Sequence, residues 1–262
     1  MSNLKALALA SFASLPLVSQ AAITYEPFDY TAGVTLESTT EWVPLNTGTA
    51  PTVASGNLSY PGMDPSSGNM ASFPGGNFQE ALGTLNSYTT GTVYYSFVFQ
   101  LSSLPTTATY SFALSTANTN YGAPLFLQAS GAGFQIGLSN RSSGSTVTYD
   151  TTVFGLNTSI FVVGSYTFNA GTGDDISRVW INPSYSTFLA DNAPAATLTS
   201  TGGTDLGAIN QFLVRGAAGS PAGVFDDAAT TAVRKWIYEP RRENGIAVSS
   251  QSKAKLVFDA AN

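Results

Sequence analysis

Residues 92–101, TVYYSFVFQL, put Val93, Tyr95, Phe97, Phe99 and Leu101 on one side of an extended chain; Thr92, Ser96 and Gln100 share the other with Tyr94 and Val98. Successive side chains of a strand point to opposite faces, so five large apolar residues at period two mark a strand with one face in a core. The same reading extends to ATYSFAL, with Tyr110, Phe112 and Leu114 on one face, and to GFQIGLS, with Phe134, Ile136 and Leu138. It also covers PLFLQA, SIFVVGSYTF, ISRVWIN and INQFLVR. Gly, Asn, Ser and Asp clusters separate these runs, and no helical period intervenes. The expectation is a mainly β chain built as two packed antiparallel sheets, a β-sandwich.

Outward from this core the character of the chain changes twice. Residues 1–21 have the form of a secretory signal, with Lys5, an apolar run over 6–18, and Ser19 and Ala21 before a cleavage point. Export follows as an expectation, to the cell surface, the medium or the periplasm of a Gram-negative-type bacterium. The apolar run is too short to span a bilayer, and no later run approaches the roughly 20 residues required. Residues 22–225 form the expected sandwich and contain only three basic residues, Arg141, Arg178 and Arg215. Residues 226–262 carry six more and read as a small helix-plus-strand appendage. In this tail Asp226 or Asp227 can cap a helix with Ala229, Val233 and Trp236 on its apolar side, Pro240 stops it, and Asn244-Gly245 turns the chain. A strand over 252–258 then closes it.

Composition excludes several chemistries. There is no cysteine, so no disulfide and no thiol nucleophile, and no histidine, so no Ser-His-Asp triad and no imidazole metal ligand. A net charge of −6 gives no basic footprint for phosphate, and nucleic acid is not expected as a partner. Glycoside hydrolysis needs only two carboxylates, which directs attention to Glu26/Asp29, Glu37/Glu41 and Asp174/Asp175. Asp174-Asp175 stands in GTGDD, a turn composition in which Asp commonly bonds its own backbone. Ser250-x-x-Lys253 stands without the partner motifs of serine acyltransferases. Tyr60, Tyr121, Tyr149 and Tyr185 lie in loop-like surroundings, where a ring can stack on a sugar.

Two resemblances follow from particular motifs. ITYEPFDYTAG (23–33), SGNLSYPGM (55–63), GDDISRVWINP (173–183), and DLGAINQFLVRG with SPAGVFD (205–226) together resemble the laminin-G/concanavalin-like jelly-roll modules of bacterial secreted proteins. That resemblance implies binding of glycan or another cell-surface polymer without catalysis. It requires no cofactor, and it implies calcium as a candidate ion at one rim, for which Asp174, Asp175 and Asp205 are the available acids. Such modules continue their last motif into a closing strand beside the N-terminal strands, and here the composition changes at that point. The tail, through Trp236, Tyr238, Pro240, Gly245 and Phe258, is similar to the second half of the TonB C-terminal domain. It implies a periplasmic interaction or energy-transduction component that meets an outer-membrane receptor. A structural cell-surface protein is the remaining expectation. The leading one is an exported module that is not an enzyme.

Overall fold

The structure is a computed structural model that describes residues 26–63, 66–73, 79–116, 121–184, 187 and 193–216, with short strands at 223–226, 242–243, 246–247 and 260–261. The elements are a 3-10 turn at Leu36–Ser38 and strands β1 (Trp42–Pro44), β2 (Thr52–Ala54), β3 (Met70–Ser72), β4 (Ala81–Tyr88), β5 (Gly91–Leu101) and β6 (Thr109–Ser115). After these come β7 (Tyr121–Ser130), β8 (Gly133–Leu138), β9 (Thr148–Tyr149), β10 (Ile160–Phe168), β11 (Ile176–Ile181), β12 (Leu198–Thr201) and β13 (Ile209–Val214). β14 (Gly223–Asp226), β15 (Arg242–Glu243), β16 (Ile246–Ala247) and β17 (Ala260–Ala261) complete the described strands. Seven strands form one sheet in the order β1-β4-β13-β6-β7-β8-β9. The other runs β12-β11-β10-β5-β14-β3-β2, with β17 also on β5. Each neighbouring pair is antiparallel. The chain changes sheet between β1 and β2, β3 and β4, β4 and β5, β5 and β6, β9 and β10, β12 and β13, and β13 and β14, which ties both sheets to one core.

β5 lies within its sheet, paired with β10 from Ile160↔Phe99 to Phe168↔Gly91. Val93, Tyr95, Phe97, Phe99 and Leu101 are all buried between the sheets. Facing them, Phe112 sits 4.3 Å from the Tyr95 ring and 4.9 Å from Phe97, while Phe134 lies 6.2 Å from Phe99. Gly164, opposite Tyr95 in register, makes this packing possible, since a Cβ there would collide with the tyrosine ring.

Two features depart from the alternation read in the sequence. The second face of β5 is not solvated: Val98 and Ser96 are buried, Val98 in a cluster with Leu58, Phe161, Val163 and Trp180 against which Tyr60, Met63 and Ala196 pack. A central strand covered on both sides reads like a half-buried one wherever small polar residues fill its second face. Tyr110 leaves the core face of Phe112 and Leu114, because the β6–β7 register shifts between Tyr110 and Phe112. One extra residue reverses the facing of everything before it.

The closing strand, finally, is present. PAGVFD supplies β14, which pairs Val224 with Ser72 of β3 and Phe225 with Phe99 of β5. In the tail, β15 and β16 pair Glu243 with Ile246, flanking the Asn-Gly positions where a turn was expected. The expected helix beyond Asp226 and the strand over 252–258 lie outside the described residues.

Candidate functional site

The outer face of the seven-stranded sheet brings aromatic side chains into a row. In register, Tyr110 of β6 stands opposite Phe126 of β7, Phe126 opposite Gly137 of β8, and Gly137 opposite Tyr149 of β9. Directly opposed residues project from the same face, so the row runs across the strands over three spacings of ~4.8 Å, about 14 Å. Tyr149 does not stand upright at its end. A Cβ at Gly137 would fall 2.7 Å from two Tyr149 ring carbons, so the ring lies over a glycine that leaves room for it. Tyr110 and Phe126 meet edge to face at 5.8 Å, and Tyr121 packs on Tyr110 at 5.4 Å.

Amides flank this row. Gln128 Nε2 donates to Gln135 Oε1 at 3.1 Å, and Gln135 Nε2 donates to the Asp150 carbonyl at 3.0 Å. At the far end Arg215 lies over the Tyr110 ring at 4.5 Å and pairs with Glu80 at 2.9 Å. Burial raises the Glu80 pKa against the pull of Arg215. Burial, with help from Tyr110 and Glu80, pushes the Tyr121 phenol up to about 12. The charges at this end are thus matched to one another, and the strip presents half-buried rings and amides.

The four tyrosines singled out in the sequence separate here. Tyr121 and Tyr149 belong to this face, although Tyr121 is itself buried. Tyr60 covers the other sheet, 5.5 Å from Phe161, and Tyr185 lies outside the described residues. Tyr110 and Phe126 were missed, because both stand in runs read as core strands, and only the register shift turns Tyr110 outward.

At one rim, loops join Asp174, Asp175 and Asp205, with one carboxylate oxygen of each within 4.8 Å of the others. Asp175 is buried and accepts from Tyr166 O–H at 2.6 Å and Asn169 N–H at 2.7 Å. Asp205 accepts from the N–H groups of Gly173 and Asp175. These bonds hold the loops, which Asn140 ties further by donating to the carbonyls of Asp175 and Gly202. A carboxylate oxygen can accept more than one partner, so capacity remains for a hard cation. The donor set suits calcium, and Arg141, packed under Gly203, adds one positive charge to the same rim.

A cleft of about 220 Å³ opens between the N-terminal segment and β1, lined by Glu26, Pro27, Tyr30, Glu41, Trp42, Gly83, Thr84 and Phe212. Of the acid pairs weighed in the sequence, one member of each of two pairs meets here. Asp29 and Glu37 remain exposed outside it. Glu26 Oε1 accepts from Phe28 N–H at 2.7 Å, and Oε2 accepts from Tyr30 O–H at 2.8 Å and Trp42 Nε1–H at 3.0 Å.

Burial nevertheless raises the Glu26 pKa above 4.5; those three donors oppose the shift and Glu41 adds to it. A folded-state pKa above the unfolded one contributes stability that is complete below the unfolded value and is lost as pH rises through the folded value. Raising pH from about 4.5 to about 7 should therefore destabilise the protein more than its Glu26→Gln variant, as read from urea midpoints. Parallel pH profiles would show that another group titrates.

No family model matches the chain, and no curated protein matches it in sequence. The TonB-like reading of Trp236, Tyr238, Pro240, Gly245 and Phe258 finds no support, and those residues lie outside the described ones. Among solved structures, the fold is similar to an endo-β-1,4-glucuronan lyase from the fungus Trichoderma reesei at 12% identity and TM-score 0.46, covering 75% of this chain and 93% of that one. It is similar to carbohydrate-binding module CBM66 from Bacillus subtilis at 11% identity and TM-score 0.40, covering 72% and 94%. An endo-1,3-β-glucanase from Streptomyces sioyaensis matches at 10% identity and TM-score 0.43, covering 82% and 96%. The expectation that the chain is not an enzyme is corrected by these findings. One fold hosts binding modules and enzymes alike, so a β-sandwich is no ground for excluding catalysis.

Proposed function

We propose that the chain is an exported glycan-directed module that holds a saccharide chain across the outer face of its seven-stranded sheet. The row Tyr110–Phe126–Gly137–Tyr149 carries this reading. A pyranose presents C–H groups on its faces, which stack on aromatic rings, and hydroxyls at its edges, which bond to amides such as Gln128 and Gln135. A strip about 14 Å long suits an extended run of a few sugar rings. Export rests on the signal-like residues 1–21. The reading includes a calcium ion held by Asp174, Asp175 and Asp205 at the rim.

The test is a glycan-array screen of the intact protein, followed by titration of the best ligand. Phe126→Ala and Tyr149→Ala should each weaken binding about tenfold with an unchanged far-UV spectrum, as expected for loss of one stacking ring. Calcium should raise the thermal midpoint of the wild type but not of Asp174→Asn. Failure of every glycan, or full binding by both ring variants, would remove the strip from consideration. Release of reducing ends from the bound glycan would add cleavage to binding.

A further inference from the structure

The cleft beside β1 has a composition unlike that of the aromatic strip. Three rings, Tyr30, Trp42 and Phe212, and two carboxylates, Glu26 and Glu41, line it, and among the described residues no lysine or arginine does. Trp42 and Phe212 meet edge to face at 5.2 Å, and Phe28 stacks behind Trp42 at 5.7 Å, which holds the indole in place. Glu26 is 8% exposed, and its hydrogen bonds come from neutral donors, the Phe28 amide, the Tyr30 hydroxyl and the Trp42 indole. Among the described residues neither cleft carboxylate is paired with a lysine or arginine, whereas Glu80 is paired with Arg215.

A ring face and a buried carboxylate attract the same kind of guest. The quadrupole of an aromatic ring draws a cation to its face, and the attraction strengthens where water is excluded. A bare metal ion would need a shell of oxygen ligands, which two carboxylates among three rings do not supply. An organic cation brings its own apolar surface to the rings and its charge to the acids. From this combination we infer that the cleft is a binding site for an alkylammonium group, with Glu26 and Glu41 as counter-ions, the half-buried Tyr30 as its open ring, and the buried Trp42 and Phe212 completing its aromatic lining. A space of about 220 Å³ admits such a head group but not a whole oligosaccharide.

Calorimetric titration of the full chain at constant ionic strength tests this with four probes: methylammonium, choline, the neutral choline isostere 3,3-dimethylbutan-1-ol, and calcium chloride. At least one of the two ammonium ions should bind saturably while the alcohol and calcium do not compete with it. The methylammonium arm represents a primary amine and the choline arm a quaternary head group. Glu26→Gln should weaken the bound ion about tenfold and Glu41→Gln several-fold. Glu41 is exposed and, among the described residues, bonds to its neighbour Thr40, so that variant reads the site even if Glu26→Gln perturbs folding. Absence of saturable binding by both ammonium ions, equal binding by the alcohol, displacement by calcium, or unchanged affinity in Glu41→Gln would overturn the assignment.

Discussion

Phe99→Ala is expected to cost about 3–5 kcal/mol of folding stability, a large part of the roughly 5–15 kcal/mol that holds a domain together. Phe99 is 2% exposed, and it stands opposite Ile160 on one neighbour and Phe225 on the other. Its ring lies 6.0 Å from Phe97 and 6.2 Å from Phe134 across the core. Cutting it to alanine loses the transfer energy of a large side chain and leaves a hole that two sheets pinned by many ladders cannot close. Gln100→Ala is the control, since Gln100 is half-buried on the opposite face and should lose no more than about 1 kcal/mol. Urea unfolding of the two variants gives the comparison directly. Equal losses would mean that the facing of β5 is wrong, and the rest of the core with it.

Asp175→Ala is expected to cost about 2–5 kcal/mol for a different reason. Asp175 is 1% exposed, and its removal leaves the buried Tyr166 hydroxyl without its acceptor and also frees the amide of the exposed Asn169. Tyr166 is fully buried, and its oxygen also accepts from Leu206 N–H at 3.0 Å, so the loss spreads from β10 to the loop before β13. Asp175→Asn keeps one acceptor and should retain part of the stability. If Asp175→Ala unfolds within about 0.5 kcal/mol of wild type, the rim is not tied through this carboxylate. A cation bound there would then have to organise the loops by itself.

The sequence by itself determined the class of the fold, because period-two alternation is a local property that each strand carries on its own. Val93 to Leu101, Phe134 to Leu138 and the glycine-rich breaks between runs needed no partner to be read. It also pointed to Asp174, Asp175 and Asp205 as a group, and to Tyr121 and Tyr149 as candidate ring contacts. The partners were decided only by the tertiary structure. A register shift in β6 turns Tyr110 outward, and no local pattern records it, since one inserted residue reverses facing without changing composition. Gly137 gains its meaning only from the Tyr149 ring that the β8–β9 pairing lays over it. Glu26 and Glu41 share a cleft because β1 returns beneath the N-terminal segment, and the closing strand finds β3 and β5 from more than a hundred positions away. Alternation says which face a residue takes, but sheet order says what it meets there, and sheet order follows from burying all the apolar faces at once.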